Sequence, residues 1–334
     1  MIIHVRDLRK TFRVYRRRGS GPFGVFWREA VDVQAVAGIS FSVNAGEMVG
    51  YVGPNGAGKS TTIKMLTGIL QPSGGHMRVD GLDPAHDRLD LAKRIGVVFG
   101  QRTQLWWDLP LLDSLELLRH IYRVPADLYR VRLAAFTDLL DLGPFLHTPV
   151  RQLSLGQRMR GDLAAVLLHE PPILYLDEPT IGLDVVAKAR MRDFLAEINR
   201  ERGVTVLLTT HDMADIGRLC SRLLIIDHGR LIYDGSLEAI KDHFGGERTI
   251  VVDLEEEEPP LTVHGATVTR VEGPRQWLRF ERATTTAAQV ISTVVASARV
   301  RDVAIEEPEI EDIVRRIYEG ELIAPTDATA SAPE

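Results

Sequence analysis

The stretch Gly53-Pro54-Asn55-Gly56-Ala57-Gly58-Lys59-Ser60-Thr61 constrains this chain more than any other. The apolar run Met48 to Val52 reads as a buried strand, breaks at Gly53, and gives way to helix formers after Ser60. A G-x-x-x-x-G-K-S loop between a strand and a helix is a phosphate cradle. Glycines at 53, 56 and 58 let successive backbone N–H groups turn inward around an anion, and the helix N-terminus adds its positive dipole end. Lys59 offers an ammonium to the outer phosphates, and the Ser60 hydroxyl is a ligand for Mg²⁺. The loop therefore implies a nucleoside triphosphate site.

A chain of 334 residues has room for two domains, or one large domain with an appendage. Its net charge of -6 argues against nucleic acid as a partner, because phosphate-backbone binders carry a basic excess. The single cysteine, Cys220, excludes a disulfide framework and reads as a small buried apolar residue. The first residues lack the apolar core of a signal peptide, and no run of about 18 apolar residues is present to span a bilayer. Membrane work would need a membrane part supplied by another chain.

Strands and helices alternate to about residue 244, predicting an α/β layered core with mostly parallel strands. Ile2 to Val5 and Thr11 to Tyr15 read as edge strand, with Phe12 either a platform for a base or a core aromatic. Arg16 to Arg28 combines four arginines with Phe23, Phe26 and Trp27. It suits either a lipid-headgroup surface or a solvated hairpin extension. Leu111 to about Leu142 reads as mostly helical, with apolar residues at helical spacing, and Ser154 is a good N-cap for a helix through Leu168. Ile173 to Leu176 is a buried strand that ends in Asp177 and Glu178; Val204 to Thr209 is another, ending at Thr210-His211. Residues 245–322 read as a small α+β domain without a catalytic constellation, its Glu255 to Glu258 run as a solvated turn. Residues 323–334 read as a disordered tail.

Together these pieces resemble the ATP-binding subunit of an ABC transporter, a P-loop NTPase with an inserted helical subdomain, here about 102–168. The resemblance runs across residues 1 to roughly 240. It rests on Gly53 to Ser60 (Walker A), Gln101 (Q-loop), Leu153-Ser154-Leu155-Gly156-Gln157 (signature), Leu174 to Glu178 (Walker B), Gly182-Leu183-Asp184 (D-loop) and His211 (switch histidine). The resemblance implies ATP and Mg²⁺ as ligands. Ser60, Gln101 and Asp177 would hold the metal, Glu178 would act as base for the attacking water, and Lys59 and His211 would contact the γ-phosphate. Ser154, Gly156, Gln157 and Asp184 would meet the nucleotide of a second ATPase subunit in a head-to-tail dimer, read as a homodimer. Leu155 departs from the family's usual glycine. Trp106 and Trp107 fall where the family receives a permease helix, and serve either as partner anchors or as core packing.

The C-terminal domain and the D-loop resemble the ABC-2-type, drug or toxicant exporter-like branch. That branch implies an ATPase docked on integral membrane permease subunits at the cytoplasmic face of the cell membrane. Two alternatives stand beside it. Polysaccharide exporter ATPases carry a comparable insertion near Arg16 to Arg28, and some ABC ATPases transport nothing.

Overall fold

The computed structural model describes residues 1–17, 28–100, 102–210, 212–244, 247–281, 284–306 and 310–318. Gln101, His211, most of the Arg16–Arg28 insertion and the 323–334 segment lie outside these. The chain divides into two compact units, with the division after Asp234.

The first unit opens with two long strands, β1 (Ile3–Arg17) and β2 (Arg28–Val43). They pair antiparallel from Ile3↔Val43 out to Arg17↔Arg28. The two pieces of edge strand read from sequence are thus one strand, bulged near Asp7, whose φ is 49°. β3 (Met48–Val52), every residue buried, leads through the phosphate loop into α1 (Lys59–Leu66). β4 (Gly74–Val79) returns to pair with β1, giving a three-stranded sheet in the order β2-β1-β4. Gly75 is required at that return: a Cβ there would lie 2.1 Å from the Asp7 carbonyl oxygen, and its φ is +85°.

A short helix α2 (Arg88–Leu91) precedes β5 (Ile95–Phe99). The region read as mostly helical holds two helices, α3 (Leu111–Ile121) and α4 (Ala126–Leu139). Pro125 explains the break, since it disfavours helical backbone at Val124, while Arg123 takes a φ of 55°. Next come α5 (Leu155–Leu167), β6 (Ile173–Asp177), α6 (Val185–Arg202) and β7 (Thr205–Thr209). Then α7 (Met213–Leu219), β8 (Arg222–Asp227) and β9 (Arg230–Ser236) follow. The main sheet runs β5-β6-β7-β3-β8-β9, and the pairs β5/β6, β6/β7, β7/β3 and β3/β8 are parallel. β6, β7 and β3 therefore lie side by side, so the loops leaving their C-terminal ends converge. Buried side chains such as Tyr51, Ile63, Leu66, Tyr175 and Leu207 fill one core beneath them.

The second unit holds α8 (Leu237–Phe244), which sequence reading had put with the first domain, and which packs against the last helix. Its sheet has the order β11-β12-β10-β13, formed by β10 (Glu247–Leu254), β11 (Ala266–Glu272), β12 (Arg275–Glu281) and β13 (Val300–Glu306). α9 (Ala287–Ser297) covers one face with Val290 and Val294 against Ile250, Val252, Leu278 and Phe280. α10 (Ile310–Tyr318) closes the described chain with Ile310, Ile313, Val314 and Ile317 buried. No described helix is long and apolar enough to cross a membrane.

Candidate nucleotide site

The phosphate loop is held by packing that leaves no room for side chains at Gly53 and Gly58. A Cβ on Gly53 would lie 2.3 Å from the Ile226 carbonyl oxygen, and one on Gly58 2.5 Å from that of Ala35. Gly58 also has a φ of +109°, so only glycine fits there without strain. Tyr51 Oη donates to Thr62 Oγ1 (3.1 Å) and Thr62 Oγ1 donates to the Gly58 carbonyl (3.0 Å), locking β3 to the first turn of α1. Pro54, Asn55, Gly56, Ala57 and Thr61 complete the loop and the start of α1, with Ala57 N–H donating to the Pro54 carbonyl at 3.1 Å.

Lys59 is 7% exposed, and its ammonium folds back to donate to the carbonyls of Gly53 (2.5 Å) and Pro54 (3.2 Å). Burial pushes its pKa down, against the attraction of Glu178 and then Asp177, which favours the charged form. Asp177 at the end of β6 and Glu178 just after it thus act on the lysine that starts α1.

Ser60 Oγ donates to Asp177 Oδ2 at 3.0 Å. Thr209 Oγ1, at the end of β7, donates to Asp177 Oδ1 at 2.5 Å. A hydroxyl and a carboxylate brought together at a phosphate loop are hard oxygen donors, and they fit Mg²⁺, which prefers one or two protein oxygens beside substrate phosphates. Glu178 follows with a φ of 57°, its N–H donating to the Thr209 carbonyl at 2.9 Å. This left-handed turn is uncommon for a non-glycine residue and takes the chain out of the sheet at the C-terminal end of β6.

Gly100 donates its N–H to the Asp177 carbonyl at 2.8 Å, and Arg102 N–H donates to Phe99 at 2.9 Å, so the residues flanking Gln101 form a turn against the Walker B strand. Ser60, Phe99, Gly100, Asp177 and Glu178 line one cavity of about 360 Å³, with Lys64, Ile69 and Arg102 at its wall. That volume lies at the small end of the range for ligand pockets. On the other side, Phe12 is 37% exposed, which removes the core-aromatic reading, and Lys10 Nζ stands 5.2 Å from its ring centre. Phe12 pairs with Val33, two residues from the Ala35 carbonyl that abuts Gly58. An exposed aromatic near the loop is a stacking surface.

The signature residues begin α5. Ser154 and Gln157 make a reciprocal capping box: Gln157 N–H donates to Ser154 Oγ (3.2 Å), and Ser154 N–H donates to Gln157 Oε1 (2.9 Å). Within one chain the Gln157 side chain is thus spent on the cap. Leu155 lies against the D-loop, and a Cβ on Gly156 would stand 2.9 Å from Leu183. Asp184 caps α6, accepting from Ala187 N–H at 2.8 Å.

Sequence reasoning missed Thr209 and a buried polar network beside position 211. Asp215, fully buried, accepts from Thr180 Oγ1 (2.6 Å) and from Arg192 Nε, while Asp212 accepts from Lys188 Nζ at 2.7 Å. The Thr209-Thr210 pair before His211 was the only signal available, and it does not reveal which carboxylates those hydroxyls meet. Cys220 is buried, with its thiol pushed up to about 12, as an inert apolar residue would be.

A mainly parallel sheet with a phosphate loop after β3 and consecutive carboxylates at and just after the end of β6 defines a P-loop nucleoside triphosphatase. Residues 36–181 match the ABC transporter family. The chain is 33% identical to the daunorubicin resistance ATP-binding protein DrrA3 of Streptomyces coeruleorubidus, over 84% of this chain and 90% of that one. It is 39% identical to the Nod factor export ATP-binding protein I of Burkholderia orbicola, over 63% and 68%. Among solved structures, a dimeric ATP-binding cassette, MJ0796, in a post-hydrolysis state bound to ADP and Pi, superposes with a TM-score of 0.60. The identity is 27%, over 70% of this chain and 98% of that one. The chain belongs to the ABC transporter family, as an ATP-hydrolysing, ATP-binding subunit.

Proposed function

We propose that this subunit binds MgATP between its Walker A loop and the signature of a second copy, and drives export through separate integral membrane permease subunits at the cytoplasmic face of the membrane. The observation that carries the nucleotide chemistry is the Ser60–Asp177 contact beside Lys59. The phosphate loop binds the phosphates, Ser60, Gln101 and Asp177 hold the metal, and Phe12 stacks on the base. When bound, Mg²⁺ neutralises phosphate charge. Glu178 takes a proton from the attacking water, while Lys59 and His211 hold the γ-phosphate. Ser154, Gly156 and Asp184 complete the site across the dimer, and Gln157 keeps the signature turn in shape. Export is supported by the likeness to the Nod factor export protein, and a drug-like or toxic cargo by the likeness to the daunorubicin resistance protein DrrA3.

The test is recovery of Glu178→Gln from native membranes with ATP and Mg²⁺, with partners identified by mass spectrometry. Co-purifying polytopic membrane proteins are expected. Recovery of ribosomes, repair factors or iron–sulfur assembly proteins without a membrane partner would reject the transport reading.

A further inference from the structure

The signature helix carries a buried acid that the nucleotide chemistry does not use. Asp162, on α5, is 4% exposed. Its Oδ1 accepts from Thr103 Oγ1 (2.8 Å) and from Gln104 N–H (3.1 Å), while Gln104 Nε2 reaches the Asp162 carbonyl at 3.4 Å. Thr103 Oγ1 in turn accepts from Leu105 N–H at 3.1 Å. One turn earlier on the same helix face, Arg158 lies 5.5 Å from the ring centre of Trp107. At Gly161, between them, the approach is so close that a Cβ would stand 2.8 Å from Leu111 of α3. The signature helix therefore grips residues 103–107 through side chains at 158 and 162.

An apolar residue would fill position 162 without desolvating a carboxylate, and such replacements of buried charge are often neutral or stabilising. What the acid adds is direction: an oxygen acceptor that fixes one hydroxyl and one backbone N–H in place.

We infer that Asp162 is a positioning residue, fastening residues 103–107 to the signature helix so that Trp106–Trp107 and Ser154 move as one body. The inference rests on the nucleotide reading above and deepens it. A movement of residues 103–107 then reaches the exposed tryptophans and the signature together.

The experiment uses the full chain with Trp27→Phe and Trp277→Phe, leaving Trp106 and Trp107 as fluorescent reporters, and MgATP as the probe. In Asp162→Ala, MgATP affinity stays within about twofold, as expected of a distant site. Its kcat falls about tenfold with KM unchanged, and the MgATP-induced fluorescence change shrinks at least about fivefold. Asp162→Asn, which keeps an oxygen acceptor, retains most of both, and adding Thr103→Val to Asp162→Ala costs nothing more. Wild-type turnover and fluorescence response in Asp162→Ala would overturn the inference. So would equal loss of affinity and turnover in the Ala and Asn variants, the pattern of a purely structural residue. Should Asp162→Ala fail to fold, Thr103→Val alone decides: a reduced kcat and response at unchanged affinity support the inference, and wild-type values reject it. A wild-type chain that binds no MgATP would reject the proposed function itself, and this inference with it.

Discussion

A Cβ placed on Gly182 would stand 2.3 Å from Leu155 Cδ2, so the D-loop glycine and the signature leucine occupy each other's space within a single chain. Leu155 is where this signature departs from the family's usual glycine, and Gly182 has a φ of +71°. The leucine thus packs against a bare backbone that an ordinary side chain would obstruct. Gly182→Ala is expected to lower stability by about 1–2 kcal/mol, most of it from the left-handed backbone. Adding Leu155→Gly should recover the contact part and leave the backbone part. Urea midpoints of the two single variants and the double variant check this, and strictly additive losses would show that the residues do not compete.

Glu178→Gln should keep MgATP binding and lower turnover by about 10²–10⁴-fold, the usual loss when a general base is removed. Phosphate release beside ATP titration measures both. Turnover equal to wild type would remove Glu178 from the chemistry.

Lys59→Ala should weaken nucleotide binding by about 1.5–3 kcal/mol, the scale of a charged hydrogen-bond partner. Its ammonium now rests on the Gly53 and Pro54 carbonyls, so a phosphate would exchange one set of acceptors for another. Calorimetric titration reads the change, and an unaltered affinity would mean that the lysine stays on the loop.

Asp162 also gives stability a pH dependence of defined sign. Burial pushes its carboxyl up to about 6, against the pull of Thr103, Gln104 and Arg158. The folded chain then holds a proton that the unfolded chain has already released. This contribution is fully present below pH about 4 and is lost as pH rises through about 6. The loss is at most about 3 kcal/mol, from roughly two units at 1.4 kcal/mol each. Denaturant midpoints of wild type and Asp162→Asn at pH 5 and pH 7 check it: the difference between them should favour the variant more at pH 7.

Much of the nucleotide site is legible along the chain, because each motif is a short run whose chemistry lies in its residue types. Lys59-Ser60 must follow a glycine loop, and Asp177-Glu178 must end an apolar run. The second unit was read in part. β11 was missed because Ala266–Glu272 is a largely exposed outer strand with weak alternation, and α8, like α7 in the first unit, is too short to show a period. The break between α3 and α4 was legible at Pro125, yet the apolar spacing on either side concealed it.

The sequence by itself determined the strand–loop–helix that cradles phosphate, the carboxylates at the end of a buried strand and the cap at Ser154, since these depend on neighbours a few residues away. Only the tertiary structure decided that Thr209 binds Asp177, that Asp162 holds Thr103 and that Leu155 covers Gly182. Those partners are 32, 59 and 27 residues apart. Parallel strand order and helix packing bring them within ångströms, and no local pattern encodes a distance set by the packing of the whole domain.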